Sequence, residues 1–288
     1  MSRSLIVAEQ FTDIAIADAL REHREDRTAL LASLLASWQA DERIRTVWLW
    51  GSFGRGEADD LSDLDPWLSV ADDMVTEMGP VLRQYAEQTD SFIAGGEDPQ
   101  NAPADGGSFG SLHEGCHGLL HVDCYWQPLS AGVKVTELAV LFDRQAEEYV
   151  PQEHPKRFHP QTRAGFPREV AERLGFAWLM LSIAAKHLAR DPQSDMALML
   201  YPRPVLEEVI KGLERGDLLP IDWSVPGEPR CKLKRLRGLL QIVEYAADSA
   251  RAQGFSSPAR YLPSLSRSLD LTDSILRSRA SHGDPIII

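Results

Sequence analysis

The sequence predicts an α+β fold: a mixed sheet with flanking helices in the first half, followed by an all-helical second half. Three observations predict it. Residues 44–50 (IRTVWLW) are rich in β-branched and aromatic side chains, and 118–126 (GLLHVDCYW) is a β-type run. Beyond about residue 163 only helical periodicity is visible. Between the halves lies 151–167, PQEHPKRFHPQTRAGFP, whose four prolines read as a linker. The expected domains are therefore 1–150 and 151–288.

Taken in order, helices are expected at 12–24 and 27–39, where Leu30, Leu31, Leu34 and Leu35 make an apolar stripe. A strand at 44–50 follows, then the turn and loop GSFGRGEADDLS, a short strand at 63–70 and a helix at 73–88. Residues 94–117 are rich in Gly and Asp and read as a long, mobile, functional loop. Strands at 118–126 and 137–143 complete the first half. The second half opens with a mostly apolar helix at 166–190, too short in its apolar run for a membrane span. Further helices are expected at 194–200, 204–215, 231–252 and 264–280. In 231–252, Leu233, Leu236, Leu240, Val243 and Ala247 recur at helical spacing.

Composition narrows the function classes. Apolar residues are 43% and charged residues 25% of the 288, the balance of an ordinary globular protein. Three cysteines, Cys116, Cys124 and Cys231, are too few for a disulfide framework, and the start has no secretory leader, so a reducing cytoplasm is expected. The net charge of −13 is unevenly placed: residues 1–160 hold 12 Lys+Arg against 28 Asp+Glu, and the rest hold 18 against 15. Such acidity disfavours nucleic acid, whose contacts are mostly to phosphate, and suits a neutral or cationic substrate, although it also serves plain solubility. Neither a nucleic-acid nor a membrane partner is expected, and a monomer and a homodimer are both open.

The chemistry concentrates in Trp48-Leu49-Trp50-Gly51-Ser52-Phe53-Gly54-Arg55-Gly56, followed by Asp63-Leu64-Asp65. Residues two apart on a strand share a face, so Asp63 and Asp65 are expected side by side. Two adjacent carboxylates repel unless a cation lies between them, and a hard divalent ion with oxygen ligands meets that need. Glycine at 51 permits close backbone approach to a phosphate, the Ser52 hydroxyl and nearby N–H groups can hold phosphate oxygens, and Arg55 can add a charged contact. Asp123 is the sole acid between Glu114 and Glu137 and lies in a β-type run, making it the expected third carboxylate, with Glu114 in reserve.

Gly51-Ser52, the Asp63-x-Asp65 pair and a later strand acid together resemble the polymerase-β-like nucleotidyltransferase superfamily. The helical half is similar in general character to the antibiotic nucleotidyltransferases, which modify aminoglycosides or lincosamides. The resemblance implies a nucleotidyltransferase-like sheet, NTP phosphates against Gly51 and Ser52, Mg²⁺ at Asp63 and Asp65, and Asp123 as third metal ligand and base. In similar enzymes a cation from the helical half reaches the triphosphate, which makes Lys186 a candidate. The implied reaction is transfer of NMP, by default AMP from ATP, to a hydroxyl of a small molecule, and antibiotic resistance is the implied setting. Pro66 departs from the usual apolar residue with an N–H after the second acid, and predicts an edge strand or bulge there.

Other readings stay open. The chain can modify a protein, as antitoxin relatives of this fold do, or serve as a non-catalytic nucleotide-binding module. The run His113, Cys116, His117, His121, Cys124 looks like a zinc cluster, but Gly115, Gly118 and strand alternation divide its ligands. His121 shares a face with Asp123, and both a packed strand histidine and a neighbour of the reaction centre fit. Trp67 reads as packing, and Lys232, Lys234, Arg235 and Arg237 as a solvated helix face.

Overall fold

A computed structural model describes residues 2–97, 102–103, 105–135, 137–144, 150–152, 170–195, 202–212, 221, 223–254 and 261–282. The chain divides into two compact units. One, the sheet unit, comprises 24–114 and 120–167; the other, the helical unit, comprises 1–23, 115–119 and 168–288.

Helix α1 (Ser2–Ala40) runs unbroken for 39 residues. Two helices were expected, split near Glu25 and Asp26, but no Gly or Pro interrupts the chain there and the buried positions continue through Ile16, Leu20, His23, Arg27, Leu30, Leu34 and Trp38 at intervals of three and four. The helix ends at Asp41, whose carboxylate accepts from the Arg43 backbone N–H (2.9 Å) and the Tyr85 hydroxyl (2.8 Å). That turn launches β1 (Ile44–Leu49).

After β1 come a one-turn helix α2 (Gly51–Gly54), β2 (Pro66–Val70), α3 (Met78–Glu87), β3 (Phe92–Glu97), β4 (Gly107–Gly115), β5 (Gly118–Pro128), β6 (Val133–Val135), β7 (Ala139–Asp143) and β8 (Val150–Gln152). The main sheet has the order β3-β4-β5-β2-β1-β7, and β6 pairs with β8 separately. Only β2–β5 is parallel among the pairings known in the main sheet; β1–β2, β1–β7 and β3–β4 are antiparallel. Much of the expected loop at 94–117 is strand. Glycines persist inside β3 and β4, and two of them sit where neighbours crowd: a Cβ on Gly107 would stand 2.0 Å from the Trp126 ring, and one on Gly95 2.6 Å from Phe109. The stretches 153–169 and 196–200, which carry most of the expected linker and one expected helix, lie outside the described residues.

Pro66 marks neither an edge nor the interior of a strand. β2 is central, between β5 and β1, and Pro66 is its first residue, opposite Leu49, where a missing N–H costs least. Alternation then divides the side chains of the three central strands. Val47, Leu49, Leu64, Leu68, Val70, Leu120, Val122, Cys124 and Trp126 join Leu30, Leu34, Trp38, Met78 and Leu82 in one apolar core. Trp48, Trp67 and Tyr125 form a second, aromatic cluster with Trp50 packed against it.

The helical unit contains α4 (Val170–Arg190), α5 (Pro202–Gly212), α6 (Pro229–Ala252) and α7 (Tyr261–His282). Its core includes Leu174, Trp178, Leu181, Leu206, Val209, Leu236, Val243, Leu265 and Ile275, all buried. The Trp178 ring stacks on Tyr261 with centroids 4.5 Å apart. Lys232 does not face solvent as its basic run suggested. It is 1% exposed, and its ammonium donates to the carbonyls of Pro192, Gln193 and Ser194 and to the Asp195 carboxylate, which satisfies the buried charge.

Candidate active site

The three aspartates are placed by one piece of sheet ladder. Leu64 bridges Val122 in parallel, with Leu64 N–H donating to the His121 carbonyl (3.1 Å) and Asp123 N–H to the Leu64 carbonyl (2.8 Å). Further along, Trp67 stands opposite Tyr125. The same register sets Asp65 beside Asp123, on strands about 4.8 Å apart. Leu64 and Val122 point into the apolar core, so Asp63, Asp65 and Asp123 point to the other side. The buried Cys124 thiol registers the neighbouring charge: burial raises its pKa well above the usual value, and Asp123 and Asp65 raise it further.

β1 ends beside these acids. Trp50 N–H donates to the Asp65 carbonyl (2.9 Å), and the chain then turns at Gly51 with φ +67°. A Cβ on Gly51 would lie 2.4 Å from Asp65 Oδ2. Glycine is thus required twice, for the left-handed backbone and for the carboxylate resting against it. The turn continues as α2, where Arg55 N–H reaches the Gly51 carbonyl (3.2 Å) and Glu57 N–H the Ser52 carbonyl (2.8 Å). The N–H groups of Ser52 and Phe53 open this turn and have no intrahelical acceptor. Arg55 is held at the surface by Glu57, with Nε 2.7 Å from Oε2.

The loop between the turn and the acids is fastened by Arg27, which sequence reading did not select. Its Nη1 donates to the carbonyls of Asp59 (2.8 Å), Asp60 (3.2 Å) and Ser62 (2.8 Å), and its guanidinium lies 4.9 Å from the centre of the Phe53 ring. Burial lowers the Arg27 pKa, and the carboxylates of Asp60, Asp59 and Asp63 counter that effect. Arg24 adds a 2.7 Å bond to Asp60. The signal was present: Arg27 occupies a core position in the α1 stripe, where a charge needs partners. It was lost by ending a helix at residue 24.

Asp123 has two distinct oxygens. The Tyr125 hydroxyl donates to Oδ2. Oδ1 faces Gly110 of β4, where an added Cβ would stand 3.8 Å from it and 3.7 Å from His121 Nε2. His121 is buried, and its Nδ1 lies 3.9 Å from Asp63 Oδ1. Tyr125 and Gly110 are further residues that sequence reading passed over; each follows from alternation and pairing once the register is known. Trp67 is fully buried and donates from Nε1 to Gln127 Oε1 (3.0 Å). Glu114, the reserve acid, is exposed at the far end of β4, near Ser91. Lys186 is 7% exposed in α4, within the helical unit.

The carboxylates share a face without forming a finished ligand cage. Among the described residues, the His/Cys/Asp/Glu trio with donor atoms all within 4.8 Å of one another is Glu22, Cys116 and His117. Each aspartate rests instead on its own neighbour: Asp65 on Gly51, Asp63 near His121, Asp123 under Tyr125. The all-oxygen donor set still fits Mg²⁺, which uses one or two carboxylates and takes its other ligands from water and phosphate.

The sequence matches no protein-family model, and no curated protein matches it. A fold comparison returns the CdnE cyclic dinucleotide synthase of Elizabethkingia meningoseptica, whose structure was determined with GTP and Apcpp. That likeness has a TM-score of 0.26 and 12% identity over 91% of this chain and 97% of that one, too weak to assign a role to any residue.

Proposed function

We propose that the protein is a Mg²⁺-dependent nucleotidyltransferase that moves a nucleoside monophosphate from an NTP to a hydroxyl of a small molecule. The observation that supports this reading is the register that sets Asp65 beside Asp123 while Asp65 rests against the Gly51 turn. In this reading Asp63 and Asp65 hold the metal, with Asp123 completing the carboxylate set, and the bound ion would neutralise triphosphate charge. The N–H groups of Ser52 and Phe53 and the Ser52 hydroxyl hold phosphate oxygens. The acceptor hydroxyl attacks the α-phosphorus, its proton passes to Asp123 Oδ1, and pyrophosphate leaves as the P–O bond to it breaks. Tyr125 fixes Oδ2 and so orients the base, and Gly110 leaves room above it. Positioning and charge stabilisation supply the rate, with no covalent enzyme intermediate. ATP is the proposed donor. The acidity of residues 1–160 favours an aminoglycoside-like polycation as acceptor, which would make the protein an antibiotic-modifying enzyme.

The test is incubation with Mg²⁺ and each of the four NTPs, alone and with a panel of aminoglycosides, lincosamides and other hydroxylated metabolites. Mass spectrometry reads a nucleotide-sized gain and a coupled assay reads pyrophosphate. Asp63→Asn is expected to lower the rate by about a thousandfold or more; full activity in that variant would refute the mechanism.

A further inference from the structure

Among the described residues outside the aspartate site, a set of side chains that could hold a metal ion lies in the helical unit. Cys116 and His117 are the two turn residues of the β4–β5 hairpin, between Gly115 and Gly118. Glu22 comes from α1. One donor atom from each, a thiol sulfur, an imidazole nitrogen and a carboxylate oxygen, lies within 4.8 Å of the other two. His117 Nε2 and Glu22 Oε2 already stand 2.7 Å apart.

The turn is held where it is by its own unit. Leu119 N–H donates to Ser268 Oγ (3.0 Å), and a Cβ on Gly118, at φ +140°, would stand 2.2 Å from that oxygen. The trio lies at the surface, with Cys116 exposed and Glu22 and His117 half-buried, but its backbone is fixed, on one side by the turn and on the other by a helix. Beside His117 opens a cavity of about 240 Å³, lined also by Ala15, Ala19, Arg267, Asp270 and Ser274. Ala15, Ala19 and Glu22 are spaced four and three apart, so the small residues leave space on the face of α1 that carries the carboxylate.

We propose that Glu22, Cys116 and His117 form a zinc site with three protein ligands and a fourth position open to water. Thiolate and imidazole select zinc over the hard ions that suit the aspartates, and a Cys/His/carboxylate set is within its usual chemistry. Its role is to clasp the hairpin turn to α1. Zn–ligand bonds of about 2.0–2.3 Å require the three donors to draw together around one centre. Loading displaces the thiol proton of Cys116 to solvent, and the His117–Glu22 contact gives way to two metal bonds.

The full chain, stripped with chelator, is titrated with Co²⁺ and then Zn²⁺. One equivalent of Co²⁺ is expected to give a thiolate-to-cobalt charge-transfer band that Zn²⁺ removes. That band separates this site from Co²⁺ bound by aspartates, which have no sulfur. Cys116→Ser is expected to abolish the band, and Glu22→Gln and His117→Ala to weaken zinc binding at least tenfold. Cys231→Ser, at the exposed start of α6, leaves the titration unchanged. Circular dichroism checks that each variant is folded. Absence of a stoichiometric band in the wild type, its survival in Cys116→Ser, or its loss in Cys231→Ser would overturn the proposal.

Discussion

The two sides of β1, of the 63–70 segment that ends in β2, and of β5 carry opposite chemistry on the same backbone. One side is apolar and closes on α1 and α3. The other carries Thr46, Trp48, Asp63, Asp65, Trp67, Ser69, Asp123, Tyr125 and Gln127. Backbone alternation separates them, so a one-residue slip in the 63–70 segment leading into β2 would exchange Leu64 for Asp63 or Asp65. The apolar side therefore does more than stabilise. At about 1.5–3 kcal/mol per buried aliphatic side chain, it penalises any register that moves the carboxylates inward. The aromatic side holds register in another way: Trp67 and Tyr125 stack at 5.4 Å with Trp50 edge-on to both, which keeps the strands bearing Asp65 and Asp123 together.

The sharpest break between the sides is functional. Asp65→Asn is expected to reduce nucleotidyl transfer about a thousandfold, equivalent to about 4 kcal/mol of barrier, while the denaturant midpoint stays near that of the wild type. Leu68→Ala, three residues away on the opposite side, is expected to show the reverse: a loss of roughly 3 kcal/mol in chemical denaturation with transfer per folded molecule retained. If both variants lose stability equally and activity equally, the division of labour between the sides is wrong.

His113 sharpens the comparison, because it is a titratable group on the apolar side, sharing the orientation of the core residue Phe109 in β4. Burial, with a smaller contribution from His121, lowers its pKa from 6.5 to about 4. Its nitrogens meet the hydroxyls of Thr89 (3.1 Å), Ser91 (3.2 Å) and Ser111 (3.0 Å), so the neutral ring is satisfied. The unfolded chain binds this proton more readily, so unfolding takes one up below pH 6.5. Stability is full above that value and declines as pH falls towards 4, by up to about 3 kcal/mol. Urea titrations at intervals across that window should show the decline, and His113→Gln should flatten it.

A change at the junction of the two sides is expected to cost less stability than one in the apolar core. Gly51→Ala forces a side chain into the left-handed region and against Asp65, at a cost of about 1–2 kcal/mol. Displacement of the Asp65 carboxylate should nevertheless reduce transfer by about a hundredfold. Unchanged kinetics in that variant would separate the turn from the carboxylates.

Parts of this arrangement were legible in the chain. The β1 and β5 segments, the helical second half and the acids at 63, 65 and 123 follow from residue type and spacing. Other parts were hidden because local signals pointed elsewhere. Glycines at 95, 107 and 110 read as loop, yet they lie against Phe109, Trp126 and the Asp123 carboxylate. Lys232 read as solvated because lysine usually is; three carbonyls that gather only in the folded chain reverse that.

The sequence by itself determined which side chains face together, since a period of two along 63–70 and β5 places Leu64 against Asp63 and Asp65, and Val122 against Asp123. Tertiary structure alone decided which distant segments meet: Leu64 with Val122, Gly51 with Asp65, Arg27 with the 59–62 loop, Glu22 with His117. The physical reason is that periodicity is a local property of the backbone, whereas register between strands far apart in the chain is fixed only when both bury their apolar sides in one core.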